Sequence, residues 1–278
     1  MIKKGIILAG GLGTRLSPIT KSVNKQLLPV YDKPLIFYPL SVLMLSNIRN
    51  VLIIIKKGEK NIFQEALGNG QDLGIQMKFE EQFKPKGIPE AFLIGEKFIK
   101  NNSVALILGD NFFYGQGLSE ILKKSFNIKS GARIFTYPIN NPQNFGIVEK
   151  INRGKKLRII EKPKKTRSNL AITGLYVFDK NVVKYSKTIK ASKRKETEIV
   201  DLINIYNKKN KLKVTDLGRG STWLDTGTIE SLLAASNYVQ VVEERQKYKI
   251  ACLEEIALSK GWIDKRNINN RIKFYGPC

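Results

Sequence analysis

The chain opens with an unbroken apolar run, Gly5–Ala9, that stops at a pair of glycines. Val51–Ile55 is a second such run, and Val104–Leu108 is a third, ending at Gly109-Asp110. Short continuous runs without alternation predict strands buried on both faces. Between them the spacing changes. Ile62–Leu67, Ala91–Ile99 and Leu118–Phe126 repeat at helical intervals, whereas Ile75–Phe79 and Ala132–Tyr137 read as further strands. Buried strands alternating with helices predict an α/β fold whose parallel sheet is covered on both sides.

From about residue 140 the pattern shifts. Gly146–Ile151, Leu157–Glu161 and Ile172–Phe178 read as strands with fewer helices between them. Glu196–Asn207 and Thr228–Lys247 then read as helices, and the last thirty residues as one short helix and a polar tail. No internal repeat and no long linker interrupts the chain. The expected organisation is a core over residues 1–240, including the β-rich part, and a helical extension over 241–278.

Composition narrows the chemistry. With 278 residues, 42% of them hydrophobic, the chain can bury a substantial core. No apolar run reaches the roughly 18 residues of a membrane span. The apolar start is too short for the core of a secretion signal, so a cytoplasmic protein is expected. There is no histidine, which removes the commonest general base and His-ligated zinc; any metal should be a hard cation held by carboxylates. The two cysteines, Cys252 and Cys278, have no metal spacing, and no structural disulfide is expected. The net charge is +24, from 48 Lys plus Arg against 24 Asp plus Glu. That implies an anionic partner or simply a solvated basic surface. Lys150 to Arg167 is the densest basic stretch, without the aromatic interleaving of a nucleic-acid binder.

Four motifs carry candidate chemistry. Leu8-Ala-Gly-Gly-Leu-Gly-Thr-Arg-Leu16 follows the first strand. Gly10, Gly11 and Gly13 permit close backbone approach to phosphate, with Thr14 beside them and Arg15 as a clamp on polyphosphate. Neither a P-loop nor a G-x-G-x-x-G spacing is present, and the cluster alone could be a plain strand-to-helix turn. Lys25-Gln26 precedes a Leu-Leu-Pro turn, and Lys25 could neutralise phosphate or merely sit on the surface. Gly109-Asp110-Asn111 ends a buried strand, where ligands of open α/β sheets bind, and Asp225 in Trp-Leu-Asp-Thr-Gly offers a second carboxylate. Either aspartate alone could be a turn cap. Glu161-Lys162-Pro163 follows Gly146-Ile-Val-Glu149.

In this combination and order the motifs resemble the sugar nucleotidylyltransferase family, and within it the bacterial glucose-1-phosphate thymidylyltransferases. The resemblance extends through Tyr38-Pro-Leu-Ser41, Gly87-Ile-Pro-Glu-Ala-Phe-Leu-Ile-Gly95, Thr173-Gly-Leu-Tyr176, Ala251–Ala257 and Gly261–Asp264, about residues 3 to 265. It implies a Rossmann-like, mixed or parallel central sheet flanked by helices, with a β-rich sugar-binding insertion and C-terminal helices. It further implies Mg²⁺ on Asp110 and Asp225, and nucleotide contacts from the glycine loop, Gln26, Gln82 and Gly87. Asn111, Gly146, Glu161, Lys162, Thr173 and Arg194 would hold the sugar phosphate. The implied substrates are dTTP and glucose 1-phosphate, the implied assembly a homotetramer, and the implied role deoxysugar and surface-polysaccharide synthesis, with no nucleic-acid or membrane partner.

The implied reaction is in-line attack of the sugar-phosphate oxygen on the α-phosphorus, with pyrophosphate leaving. That nucleophile is already ionised, so positioning and charge neutralisation by Arg15, Lys25 and Lys162 suffice without histidine. Glu90 stands where these enzymes commonly have Gln, Phe145 where Tyr is common, and Lys195 where Gly usually follows Arg194. The chain also stops at Gly276-Pro-Cys278, short of a final helix the family often has. These departures bear on base, sugar and the feedback site by which dTDP-sugar products inhibit relatives. The same chemistry on UTP or another sugar phosphate is the alternative, and a non-catalytic regulatory or basic nucleic-acid-binding protein is the alternative of another class.

Overall fold

A computed structural model describes residues 2–151 and 156–276. β1 (Lys4–Ala9) leads into the glycine turn and a two-residue hairpin, β2 (Pro29–Val30) and β3 (Lys33–Pro34), then α1 (Phe37–Leu45). β4 (Asn50–Lys56), α2 (Lys60–Leu67) and β5 (Gln76–Gln82) follow, then α3 (Glu90–Ile94), α4 (Glu96–Ile99) and β6 (Val104–Leu108). The middle of the chain holds β7 (Asn111–Gly115), α5 (Leu118–Ser125), β8 (Ala132–Pro138), β9 (Gly146–Ile151), β10 (Lys156–Glu161) and β11 (Leu170–Phe178). It ends with α6 (Val182–Ser186), α7 (Ile199–Lys208), β12 (Leu212–Asp216), β13 (Ser221–Asp225), α8 (Ile229–Gln246), α9 (Leu253–Ser259) and α10 (Lys265–Tyr275).

The main sheet runs β10-β9-β11-β6-β1-β4-β5, with β8 pairing β11 and β12 pairing β8. β6, β1, β4 and β5 are mutually parallel, while β11 joins β6 antiparallel. The sheet is therefore mixed, where the apolar pattern alone predicts a parallel one and the family resemblance implies a mixed or parallel one. The apolar runs of β1 and β4 are buried on both faces, between one core that includes Phe37, Leu43 and Phe63 and another that includes Phe92, Leu106 and Tyr206.

The short elements β2, β3, β7, α6, β12 and β13 lie outside the sequence reading, and three further departures have a clear physical reason. α1 was not expected, because Phe37 through Met44 are all buried and the helix shows no polar stripe to betray its period. Pro39 sits in its first turn, where a missing N–H costs nothing. The single helix expected over Ala91–Ile99 is two, α3 and α4, divided at Gly95. A Cβ there would lie 3.0 Å from Ile6 Cδ1 and 3.2 Å from Leu52 Cδ2, so glycine lets the chain press onto the sheet. The last thirty residues hold two helices, α9 and α10, in place of one helix and a polar tail.

α10 escaped detection because its anchor is charged rather than apolar. Asp264 caps it by accepting from the Arg266 and Asn267 N–H groups. Arg271, 3% exposed, donates to Glu254 at 2.8 Å, to the Leu67 carbonyl at 3.4 Å and to the Tyr275 hydroxyl at 2.5 Å. Removing one member of a buried pair leaves the other uncompensated. Arg271→Met is therefore expected to cost about 2–4 kcal/mol. A urea midpoint that does not move would show that α10 contributes nothing to the fold.

The division expected after residue 240 falls within α8, which runs without interruption to Gln246. Thr228 caps that helix in a reciprocal pair with Ser231, which fixes the turn leaving β13. Cys252 is a free thiol, and Cys278 lies outside the described residues, as do Arg153 and Lys155 of the basic stretch.

Candidate active site

Parallel pairing sends the carboxyl ends of β1, β4, β5 and β6 to one edge of the sheet. Leu8 pairs Leu108, and Lys56 pairs Gln82. Gln82 at the end of β5, and Gly10, Gly109 and Asp110 just past the ends of β1 and β6, are thereby gathered where open α/β sheets hold ligands. Asp225 arrives by another route. β13 pairs antiparallel with β7, and the register sets Asp225 opposite Asn111. A two-stranded ribbon thus joins the two candidate carboxylates.

The surroundings of Asp110 are closely built. Lys25, 5% exposed, donates from Nζ to Asp110 Oδ2 at 2.5 Å. Asn111 Nδ2 donates to Oδ1 at 3.0 Å. Asn111 is itself fixed, since its Oδ1 accepts from Trp223 Nε1 at 2.6 Å and from the Gly174 N–H at 2.9 Å. Thr226 donates from N and Oγ1 to the Asp110 carbonyl at 3.1 and 2.8 Å, tying the turn after β6 to the turn after β13.

The two aspartates titrate apart. Burial would raise Asp110, but the Lys25 charge and hydrogen bond, with that of Asn111, hold its carboxyl below the ordinary range. Asp225 is pushed up to about 6, first by burial and then by the charge of Asp110, against the pull of Lys25, Arg15 and Lys162. A carboxylate pair without full countercharge fits a hard cation, and both carboxylates are oxygen donors of the kind such ions take. Among the described residues no group of three or more acidic, His or Cys side chains forms a fuller cage.

Arg15 reaches the pair from the glycine turn. Gly13, at φ 62, opens the 3-10 turn Thr14–Leu16. Arg15 Nη2 lies 4.0 Å from Asp225 Oδ2, with its side chain 63% exposed. Its guanidinium rests against Gly227, where a Cβ would sit 2.4 Å from Nη2. Gly227→Ala should displace this flexible side chain at little cost to folding, and turnover is expected to drop about tenfold with Tm unchanged. Equal losses of stability and turnover would show that the glycine serves packing.

At the β5 end, Gln82 is 3% exposed and its Oε1 lies close enough to Gly10 that a Cβ there would sit 2.3 Å away. Gly87, at φ +111, packs so tightly on the Thr197 carbonyl that a Cβ would approach to 1.9 Å. Gln26 is buried beside Gly109, and its Oε1 has no partner among the described residues. Gly11 and Thr14 are exposed along the turn.

The β-rich part supplies a second cluster. Glu161 ends β10 opposite Gly146, and a Cβ on Gly146 would sit 3.4 Å from its carboxylate. Lys162 follows in a left-handed conformation, φ 42, its N–H on the Phe145 carbonyl. Arg194 Nη2 contacts Glu161 at 3.1 Å and Glu198 at 2.6 Å. Burial and the Glu198 charge raise the Glu161 carboxyl above its ordinary range, with Lys162 and Arg194 opposing.

The structure brings together Asp110, Asp225, Lys25 and Arg15, and it joins Glu161 to Arg194 through an ion pair. Some expected contacts are engaged elsewhere. Lys25 is turned onto Asp110. Arg194 is held by two glutamates and must release them to meet a phosphate. The amide of Asn111 is committed to Asp110, Trp223 and Gly174. Thr173 is fully buried in an irregular stretch of β11, with its hydroxyl on the Phe135 carbonyl at 3.2 Å. Trp223, Thr226, Gly227 and Glu198 were missed. The Trp-Leu-Asp-Thr-Gly motif contained the first three, but only its carboxylate announced a chemical role.

A parallel sheet edge that gathers a glycine turn, two carboxylates and cationic side chains has the build of a protein handling phosphorylated nucleotides. The comparisons give the family. The chain belongs to the nucleotidyl transferase family, whose match spans residues 4–241. It is 50% identical over 270 residues to the glucose-1-phosphate thymidylyltransferase of Neisseria gonorrhoeae, covering 97% of this chain and 94% of that protein. It is 46% identical over 270 residues to that of Mycolicibacterium smegmatis, covering 97% and 93%. A solved Bacillus anthracis structure in complex with a sucrose superposes with TM-score 0.78 at 37% identity, covering 84% of this chain and 94% of that one.

Proposed function

We propose that this enzyme transfers the thymidylyl group of dTTP to glucose 1-phosphate, giving dTDP-glucose and pyrophosphate, with Mg²⁺ held by Asp110 and Asp225. The observation that carries the reading is the meeting of those carboxylates beside Arg15 and the glycine turn, in a chain alike nearly end to end to relatives of that name. Bound there, Mg²⁺ would neutralise phosphate charge and hold the triphosphate in line for attack.

The chain's own groups supply the rest. The glycine turn offers backbone N–H groups to phosphate oxygens, and Arg15 closes over the leaving pyrophosphate. Lys25 favours the ionised form of Asp110. Lys162 and a released Arg194 draw the sugar phosphate towards the α-phosphorus against the repulsion of like charges. Glu161 and the Gly146 backbone accept and donate to sugar hydroxyls, and Gln82, Gly87 and Gln26 bind the nucleotide. The division into a core over 1–240 and an extension over 241–278 belongs to this reading. So does a homotetramer, which the exposed apolar side chains Ile229, Leu233 and Val241 of α8 support. A cytoplasmic location fits the substrates, and no helix among the described residues is long and apolar enough to cross a membrane.

The test is pyrophosphate release from purified protein with glucose 1-phosphate, Mg²⁺ and each nucleoside triphosphate in turn. Release with dTTP well above the others is the expected result. Release mainly with UTP would keep the mechanism and change the base; a contact to the shared N3 edge of thymine and uracil does not separate the two. Silence with every triphosphate and a panel of sugar phosphates would overturn the reading.

A further inference from the structure

Glu90 stands outside the roles given so far, yet its carboxylate is firmly built into the base end of the site. Its Oε2 accepts from Gln82 Nε2 at 2.6 Å and from the Lys86 N–H at 2.9 Å. The segment carrying Lys86 is pinned from the far side as well. The Lys86 carbonyl accepts from the Thr197 N–H at 2.7 Å and from its hydroxyl at 2.9 Å, and Gly87 closes against the same residue. Glu90 is thus a fixed acceptor rather than a mobile surface acid.

A side-chain amide carries a donor and an acceptor end, while a carboxylate only accepts. Facing Glu90, Gln82 has one stable orientation, with its NH₂ on the carboxylate and its Oε1 turned away. That Oε1 lies over Gly10, at the start of the glycine turn, and makes no hydrogen bond among the described residues. A lone acceptor is therefore presented where the nucleotide is proposed to bind.

We propose that Glu90 is a positioning residue for base selection: by taking the amide hydrogens of Gln82 it fixes Oε1 as an acceptor, so the site favours a pyrimidine bearing an N–H at N3. Thymine and uracil meet that demand. Cytosine presents a lone pair at N3 and leaves two acceptors face to face. A glutamine at position 90 would offer both a donor and an acceptor, and Gln82 could turn over. The proposal rests on the nucleotidyl-transfer reading above and names what selects its base.

The test is calorimetric binding of dTTP and of dCTP, each with Mg²⁺, to the wild-type protein, E90Q and the swap Q82E/E90Q, with melting curves to confirm folding. Wild type is expected to prefer dTTP by at least about tenfold, the scale set by one unpaired buried polar group. In E90Q the ratio should shrink severalfold, with dTTP weakened and dCTP tightened. The swap restores an acceptor at position 82 facing a donor at position 90, and should recover the preference. An equal loss for both nucleotides in E90Q, no recovery in the swap, or no preference in wild type would overturn the proposal. In turnover, E90Q should raise KM for dTTP more than it lowers kcat. Because binding is read without turnover, the two readings fail separately. Preferential dTTP binding without pyrophosphate release would sink the transferase reading alone, and release with an unchanged ratio in E90Q would sink the role of Glu90 alone.

Discussion

Asp225→Asn is expected to lower kcat by at least about 10³-fold and, in the same protein without metal, to raise thermal stability at neutral pH. Both effects have one origin. Asp225 is forced to ionise beside Asp110 in a partly buried site, and its carboxyl is pushed up to about 6. A carboxyl raised above its unfolded value costs stability once it ionises. That cost is absent below the unfolded value near 4, grows as pH rises to about 6, and is complete above it. At pH 7.5 the metal-free wild type should carry a penalty of about 1–3 kcal/mol that asparagine removes. At pH 4 the variant should show little of this gain. Mg²⁺ should raise the wild-type Tm at pH 7.5, fail to do so below pH 6 where Asp225 takes a proton, and leave the variant unmoved. Melting curves across pH with and without Mg²⁺, beside pyrophosphate release, decide the matter. A variant destabilised equally at both pH values, or one that turns over normally, would remove Asp225 from the site.

This pairing of instability with chemistry explains how far the site could be read from sequence. The buried strands β1, β4 and β6 announce themselves because both faces are covered and their apolar runs are unbroken. The glycine turn and Gly109-Asp110 follow immediately, so half of the site lies at legible strand ends. The other half depends on β13 reaching β7, a pairing between segments far apart in sequence, and no local pattern encodes that register. Asp225 was identified through family resemblance and not through its spacing. What surrounds the aspartates was less visible still. The locking of Asn111 by Trp223 and Gly174, and the seating of Arg15 on Gly227, are three-dimensional facts about residues that look ordinary in the chain. α1 and α10 were lost for opposite reasons, one being apolar all round and the other held by a buried arginine.

Lys25 is bound to Asp110, and Arg194 to Glu161 and Glu198. Arg15 at the glycine turn stands mostly in solvent, and Lys162 at the second cluster is exposed. A triphosphate arriving at the glycine turn therefore meets Arg15 first.

Arg15→Ala should accordingly cost on the order of 10²–10³ in kcat, the loss expected when one preorganised electrostatic donor is removed. Stability should hardly change, because its ion pair with Asp225 spans 4.0 Å and the side chain is mostly exposed. Arg15→Lys should recover only part of the loss, since an ammonium is a point charge and lacks the planar fork that grips two phosphate oxygens. The defect should fall on kcat and on KM for dTTP, while KM for glucose 1-phosphate stays near wild type. Inhibition by added pyrophosphate should weaken in parallel, because the leaving group and the inhibitor use the same guanidinium. Steady-state kinetics with each substrate varied, and with pyrophosphate as inhibitor, separates these outcomes. A defect confined to KM for glucose 1-phosphate would move Arg15 to the sugar side of the reaction, and near wild-type turnover would leave Lys25 and the metal to neutralise the triphosphate without it.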